Sequence, residues 1–407
     1  MDITYNYLYC NINIYNNPKK NKDNKMISVQ NPKDCCGCSA CASICNHNAI
    51  TMKPDVLGFL YPEVDLTKCT NCSLCERVCA FNDNYDTSLN LQTPIAYGAR
   101  HRDINEVMKS RSGAVFATLS DYVLEKEGVV YGAGYTDHFR VVHKRATTKE
   151  ERDEFRGSKY VQSDMNNVFR LIKKDLKEGL IVLFSGTPCQ TSGLNSYIGK
   201  KLRSNLILID IVCHGVPGPY LWRDYISYLE RKQGSSITWV NFRDKEMFGW
   251  AAHHETFKFN NSDEKKWFKK VFYQHIMFRH SCENCHFCNT KRPSDITIAD
   301  FWGWQNTKSD INCDDKGLNL VLINTEKGKN IFGKISGKLR IIEASPNTYM
   351  QPNLQYPFKV HRKRMQFEKD YVKYGFEYVF NKTYNEYSIW KKLIDLFRKK
   401  IRNILNR

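Results

Sequence analysis

The chain has 407 residues, 42% apolar and 13% aromatic, which is the composition of a globular protein with room for two or three domains. No stretch approaches the ~18 apolar residues of a membrane span, and the opening Met1-Asp2-Ile3-Thr4 lacks the basic and apolar regions of a signal peptide, so the expected compartment is the cytoplasm. The net charge of +18 is spread through Asn/Lys/Ile-rich segments instead of forming a stripe, so the expected partner is an acidic redox protein and not nucleic acid.

Residues 1–30 carry little order-forming pattern and are expected to be a disordered or non-native extension, with Met26 a natural start. Residues 31–82 hold two matched cysteine runs. Cys35, Cys38, Cys41 and Cys45 have the spacing C-x2-C-x2-C-x3-C, and after twenty-three residues Cys69, Cys72, Cys75 and Cys79 repeat it. In a reducing compartment such clustering means metal or redox chemistry. Two-cluster bacterial ferredoxins use this run: a loop with two residues between thiolates wraps three corners of a cubane, and the fourth corner comes from a more distant segment. The implied ligand sets are Cys35, Cys38, Cys41 and Cys79 for one 4Fe–4S cluster, and Cys69, Cys72, Cys75 and Cys45 for the other. Structural zinc is the alternative, but zinc favours two C-x2-C pairs per ion, often with histidine. Asn46 and Ala80 replace a proline that usually follows the fourth cysteine and ligates nothing. Cys36 is off the spacing and reads as a bystander. Residues 49–52 and 61–65 read as a small hairpin turning at Gly58, and 82–93 as a polar linker.

From Pro94 strands and helices alternate. Strands are predicted over 95–99, 129–135, 140–144, 180–184 and 206–212, and helices over 113–126, 166–177, from Cys189, and over 220–230. Continuous apolar strands between such helices argue for a largely parallel, helix-covered sheet, whose ligands sit beyond the carboxyl ends of its strands. Two loops fall at that edge, Ser185-Gly186-Thr187-Pro188-Cys189-Gln190 and Cys213-His214-Gly215-Val216-Pro217. Gly186 permits a close backbone approach, Thr187 can cap the following helix and Pro188 suits its first turn. The helix's positive end would favour a thiolate at Cys189.

A third group, Cys282, Cys285 and Cys288, repeats the three-corner loop without a fourth member. A cubane there needs an outside ligand, for which Cys189 ranks ahead of Cys213 and Cys313; the other reading is zinc completed by His286 or His280. Residues 295–302 read as a strand ending in an acid–aromatic corner. A strand from Leu318, a helix over 327–335 and a strand over 339–342 follow, and then isolated basic and aromatic residues. The tail over 389–407 has an apolar stripe of Ile389, Leu393, Phe397, Ile401, Ile404 and Leu405 amid lysines and arginines. Such a helix can touch an anionic membrane surface or pack on its own protein or a partner.

In order and wording these motifs resemble the family of coenzyme F420 hydrogenase/dehydrogenase beta subunits, in the form with an N-terminal two-cluster ferredoxin domain. The resemblance spans residues 31–342 and rests on the two quartets, Ser112-Gly113-Ala114-Val115-Phe116, the 157–163 segment Gly-Ser-Lys-Tyr-Val-Gln-Ser, the two edge loops and residues 279–302. It departs at Ala114 and Ala299, where the family often has glycine. It implies an α+β/α/β multidomain protein in which a small two-cluster ferredoxin-like domain precedes a larger α/β flavin-binding body. The division it suggests is an extension (1–30), the ferredoxin-like domain (31–82), two parts of the body (94–180 and 181–345) and a basic tail (346–407). It further implies FAD contacts at Ser112, Gly113, Lys159, Gly186, Thr187 and Gln190, and a third cluster on Cys189, Cys282, Cys285 and Cys288.

The expected function is an iron–sulfur flavoprotein oxidoreductase, moving electrons between a ferredoxin-like donor, 4Fe–4S clusters and FAD to reduce or oxidise a small organic substrate or coenzyme. Coenzyme F420 is one candidate acceptor. Two other readings stay open: a non-catalytic electron-transfer subunit of a larger complex, and a zinc-stabilised binding module.

Overall fold

Both cysteine runs fold into the same backbone. Gly37 and Asn71, just before the second cysteine of each run, have φ of 70° and 54°, and Ser39 and Ser73, just after it, have φ of 65° and 60°. Left-handed serines are uncommon, so their recurrence at matched positions marks a structural repeat. Each serine opens a one-turn helix, Ala40–Ile44 or Leu74–Arg77, that carries the third cysteine. Between the loops, β1 (Ile50–Pro54) and β2 (Leu60–Val64) pair antiparallel, with Ile50 opposite Val64. Their turn is tied by Asp55, whose Oδ1 accepts from the amides of Leu57 and Phe59 at 2.9 and 2.8 Å.

These features come from a computed structural model that describes residues 26–81, 85–261, 263–264 and 275–383. The extension predicted over 1–30 falls mostly, and the tail helix over 389–407 entirely, outside the described residues.

The body is built on β3 (Asn90–His101), β4 (Val129–Tyr135), β5 (Val141–Ala146), β6 (Val182–Gly186), β7 (Leu206–Ile211), β8 (Ile237–Asn241), β9 (Thr256–Phe259), β10 (Asp263–Glu264), β11 (Ile296–Asp300), β12 (Asn319–Thr325) and β13 (Leu339–Glu343). Eight of them form one sheet in the order β13-β3-β12-β11-β7-β6-β4-β5. Its middle, β4-β6-β7-β11, is parallel, while β12, β3 and β13 on one flank and β5 on the other pair antiparallel. The sheet is therefore mixed, which corrects the largely parallel expectation. The central strands read as apolar runs because both their faces are covered, and the same runs gave no sign of the antiparallel flanks.

Alternate residues of those strands separate two cores. Val182, Phe184, Leu206 and Leu208 meet Phe169, Ile172, Leu194 and Tyr197 of the helices Val168–Lys177 and Pro188–Ile198 on one face. Leu183, Ile207 and Ile209 meet Val115, Leu119 and Phe332 of Val115–Leu124 and Glu326–Ile335 on the other. The first cysteine loop lies on the former face, with Cys36, Cys38 and Ala40 in that core.

Two elements were not foreseen. β8, β9 and β10 form a small antiparallel sheet, and a helix runs over 364–383, where only isolated residues were read. The latter packs Phe376, Val379 and Phe380 on Tyr225 and Tyr228 of the helix Pro219–Gln233, an aromatic cluster that ordinary helical periodicity hid among charges.

Asp295 locks the sheet at its base. It is fully buried, and its carboxylate accepts from the Leu208 amide, from Arg203 at 2.9 Å and from the Thr325 hydroxyl at 2.8 Å, joining β7, β11 and β12. Asp295→Ala strands the Arg203 charge and is expected to cost about 3–5 kcal/mol. A fall in the thermal unfolding midpoint checks this, and an unchanged midpoint would deny the lock.

Candidate iron–sulfur and cofactor site

The two quartets differ in their surroundings. Cys41 feels Cys38, Cys35 and Cys79 as its nearest titratable neighbours, and Cys79 in turn feels Cys38, Cys35 and Cys75. Burial pushes Cys79 up to about 12. A thiol in that state is inert as a nucleophile, and a metal would have to displace its proton. Cys45, Cys69, Cys72 and Cys75 line one small cavity. There the Ala49 amide donates to Cys45 Sγ and the Ile27 amide to Cys75 Sγ, each at 3.3 Å. Amide-to-sulfur bonds of this sort stabilise cluster thiolates. Cys72 is exposed, whereas Cys38 and Cys41 are buried.

The third group converges on the edge loops. Cys213 senses Cys282, Cys189 and Cys285, and Cys282 senses Cys285 and Cys189; Cys313 lies exposed at the surface. His280 is hydrogen-bonded to Glu368 at 3.0 Å and His286 meets Phe81 edge-on. Among the described residues no three His, Cys, Asp or Glu side chains are gathered for a single metal ion.

Cys36 is not a bystander. It is 4% exposed and packs in one cluster with Cys38 and Cys189. Its nearness holds the Cys189 thiol down to about 7 against burial. One turn along the same helix, a Cβ on Gly193 would fall 2.7 Å from Cys38 Sγ, so only glycine lets the helix approach this closely. The spacing rule that identified the quartets had no way to register Cys36, whose place depends on the helix from Pro188. Gln162 was also unassigned; its Nε2 donates to the Cys36 carbonyl at 2.8 Å and ties loop to body.

A cleft of about 400 Å³ opens at the carboxyl ends of the parallel strands, the expected ligand edge of such a sheet. Ser112, Lys159, Gly186, Thr187 and Gln190 line it, together with Cys213 and His214. Gly113 does not line it. A Cβ there would lie 2.2 Å from the Ala99 carbonyl, so Gly113 serves the seating of the helix Val115–Leu124 on β3 and β12. Ser112 Oγ is already engaged, donating to the Leu318 carbonyl at 2.7 Å. Burial lowers Lys159 to about 7, and its ammonium donates to the Glu154 and Arg156 carbonyls at 2.6 and 3.2 Å. One wall is the acid–aromatic corner, where Asp300 pairs with Arg243 and accepts from Trp250 Nε1 at 3.1 Å, while Trp302 stacks on Trp250 at 4.6 Å.

A hydrogen-bonded line runs along the cleft lining. Gln190 Nε2 donates to Ser163 Oγ at 2.9 Å, Ser163 lies 2.8 Å from His143 Nδ1, and His143 Nε2 lies 3.0 Å from the Ser185 carbonyl. A carbonyl can only accept, so Nε2 carries the proton and Nδ1 accepts from Ser163. Burial lowers His143 to about 4. As pH falls below the ordinary histidine value the unfolded chain takes up this proton first, so folded stability declines down to about pH 4; above that window His143 contributes nothing. His143→Gln should flatten this part of the curve. Thermal melting of wild type and variant between about pH 7 and about pH 5 checks it, and parallel curves would refute it.

Comparison with known proteins agrees with this layout. Residues 34–82 match the family described as 4Fe-4S dicluster domain, and residues 180–348 match the C terminus of the beta subunit of coenzyme F420 hydrogenase/dehydrogenase. The chain is 20% identical over 325 residues to the F subunit of the F(420)H(2) dehydrogenase from Methanosarcina mazei, covering 76% of this chain and 84% of that one. A chain of the F420-reducing NiFe hydrogenase complex from Methanosarcina barkeri aligns with a TM-score of 0.45 and 16% identity, covering 71% of this chain and 96% of that one. Among the described residues no helix is long and apolar enough to cross a membrane. A dicluster domain at the N-terminus and, behind it, a region similar to the C terminus of coenzyme F420 hydrogenase/dehydrogenase beta subunits follow each other here in the order of the family that the sequence motifs resemble.

Proposed function

We propose that this protein is an iron–sulfur electron-transfer component of an oxidoreductase complex, with a flavin, FAD by family resemblance, held in the cleft above the parallel strands. The observation that carries the reading is the succession of cysteines from surface to cleft: exposed Cys72, the first quartet with Cys38 and Cys41 buried, Cys36 against Cys189, and Cys213 in the cleft lining. The proposed ligand sets are Cys35, Cys38, Cys41 and Cys79; Cys69, Cys72, Cys75 and Cys45; and Cys189, Cys282, Cys285 and Cys288. Clusters there would supply one-electron transfer, and a flavin the exchange between single electrons and pairs.

The chain's own residues set order and placement. Gly193 brings the helix Pro188–Ile198 onto Cys38, so the first quartet and the third group become neighbours. Gln190 caps that helix, accepting from the Thr187 amide and hydroxyl at 3.0 Å each, and thereby fixes the loop between Cys189 and the cleft. The fit to a flavin rests on the cleft's size, ordinary for a cofactor site, and on the Lys159 ammonium beside it. Of the six residues the resemblance nominates, Ser112, Lys159, Gly186, Thr187 and Gln190 line the cleft and are the proposed contacts, and Gly113 lies outside its lining.

Membership of a larger complex is supported by the name of the Methanosarcina mazei relative, itself one subunit of a dehydrogenase, and by the helix over 364–383, which leaves Met365, Val372, Tyr374 and Tyr378 exposed by 43–68%. In that setting the chain need not turn over a substrate alone. An organic substrate or coenzyme at the cleft, coenzyme F420 among the candidates, and an acidic protein donor complete the proposal.

Cys189→Ser tests the central link. Anaerobically purified variant is expected to lose about four irons per chain and one cluster signal in electron paramagnetic resonance, with both ferredoxin-type signals retained. An unchanged iron count would remove Cys189 from the ligand set.

A further inference from the structure

We infer that Arg279 is the counter-charge of the cluster held by Cys35, Cys38, Cys41 and Cys79, raising its reduction potential while fastening its loop to the body. The inference rests on the iron–sulfur reading above. Seven arginines are among the buried polar residues. Six of them, Arg100, Arg152, Arg203, Arg243, Arg292 and Arg364, form ion pairs with carboxylates. Arg279, at 1% exposure, does not: its hydrogen bonds among the described residues go to the Cys35 carbonyl (2.8 Å), the Leu60 carbonyl (2.9 Å), Gln162 Oε1 (2.9 Å) and Cys35 Sγ (3.7 Å).

A buried charge without a counter-ion is expensive. Two ring faces give partial compensation, Tyr61 at 4.3 Å and Phe59 at 5.4 Å from the guanidinium carbon, but neither carries charge. The negative charge within reach lies on the sulfurs of Cys35 and Cys36 and, later in order of effect, on the buried Asp55 carboxylate, which forms no ion pair with Arg279 among the described residues; the sulfur of Cys35 is the group Arg279 touches. A four-thiolate cluster is anionic and becomes more so on reduction, so a fixed cation at Cys35 favours the reduced state and lifts the potential. The loop is shaped to admit it. Gly37 has φ of 70°, and a Cβ there would lie 2.8 Å from Arg279 Nη1. The Cys69 loop is treated differently: Cys72 is exposed, main-chain amides reach Cys45 and Cys75, and among the described residues no buried arginine hydrogen-bonds to its sulfurs. Two quartets of identical spacing are thus given different electrostatics by a residue from a segment more than two hundred positions away.

The test uses the full chain, purified anaerobically, as wild type, Arg279→Gln and Arg279→Lys. Iron, acid-labile sulfide and potentiometric titration followed by electron paramagnetic resonance are the readouts. Arg279→Gln is expected to shift the midpoint of one cluster to lower potential and leave the others in place, whereas Arg279→Lys, which keeps the charge without the fork, shifts it less. If Arg279→Gln fails to assemble that cluster, about four irons are lost in Gln and retained in Lys. Full iron with unchanged midpoints in Arg279→Gln overturns the inference, as does equal loss of iron or equal shift in both variants, which would make the role one of shape. Wild type without iron or sulfide would instead sink the iron–sulfur reading itself.

Discussion

The close approach of one helix to one cysteine loop governs this architecture. The helix Pro188–Ile198 follows a strand whose first three residues are buried, starts at a Thr187–Gln190 capping box, and presents Cys189 and then Gly193 to the loop holding Cys36 and Cys38. Strand, cap and glycine each have ordinary local causes. Together they bring the first cysteine loop against the ligand edge of the sheet. Without that contact the quartets would be an appended ferredoxin module; with it, they are continuous with the cleft.

Charge is distributed to suit the arrangement. The described N-terminal domain is close to neutral, with Lys33, Lys53, Lys68 and Arg77 against Asp34, Asp55, Glu63, Asp65 and Glu76, so the excess of +18 is carried elsewhere in the chain. Six of the seven buried arginines are paired with carboxylates, and such pairs specify geometry more than they add stability. Arg170 shows the same economy at the domain boundary. It donates to the carbonyls of Ser43, Ala42 and Cys45 and to Asn48 Oδ1, capping the short helix Ala40–Ile44 and holding the loop to the body.

Much of this was legible in advance, for identifiable reasons. The quartets announce themselves because cubane ligation imposes local spacing, and β4, β6, β7 and β11 because doubly covered strands are apolar throughout. Antiparallel flanks, the sheet of β8 to β10 and the helix over 364–383 were hidden, since they depend on partners far away in the chain. The same limit applied at the site. Ser112 and Gly113 read alike in sequence, but the structure sets them apart: Ser112 lines the cleft and also donates to a main-chain carbonyl, while Gly113 provides helix–strand clearance. Conversely Cys36, Gln162 and His143 acquire meaning only once the helix, loop and strand meet.

The most direct measurement of the whole account is iron, acid-labile sulfide and flavin determined on one anaerobic preparation of the full chain. The account predicts about twelve irons with matching sulfide and one flavin per chain. Zinc in place of iron, with neither sulfide nor flavin, would contradict it.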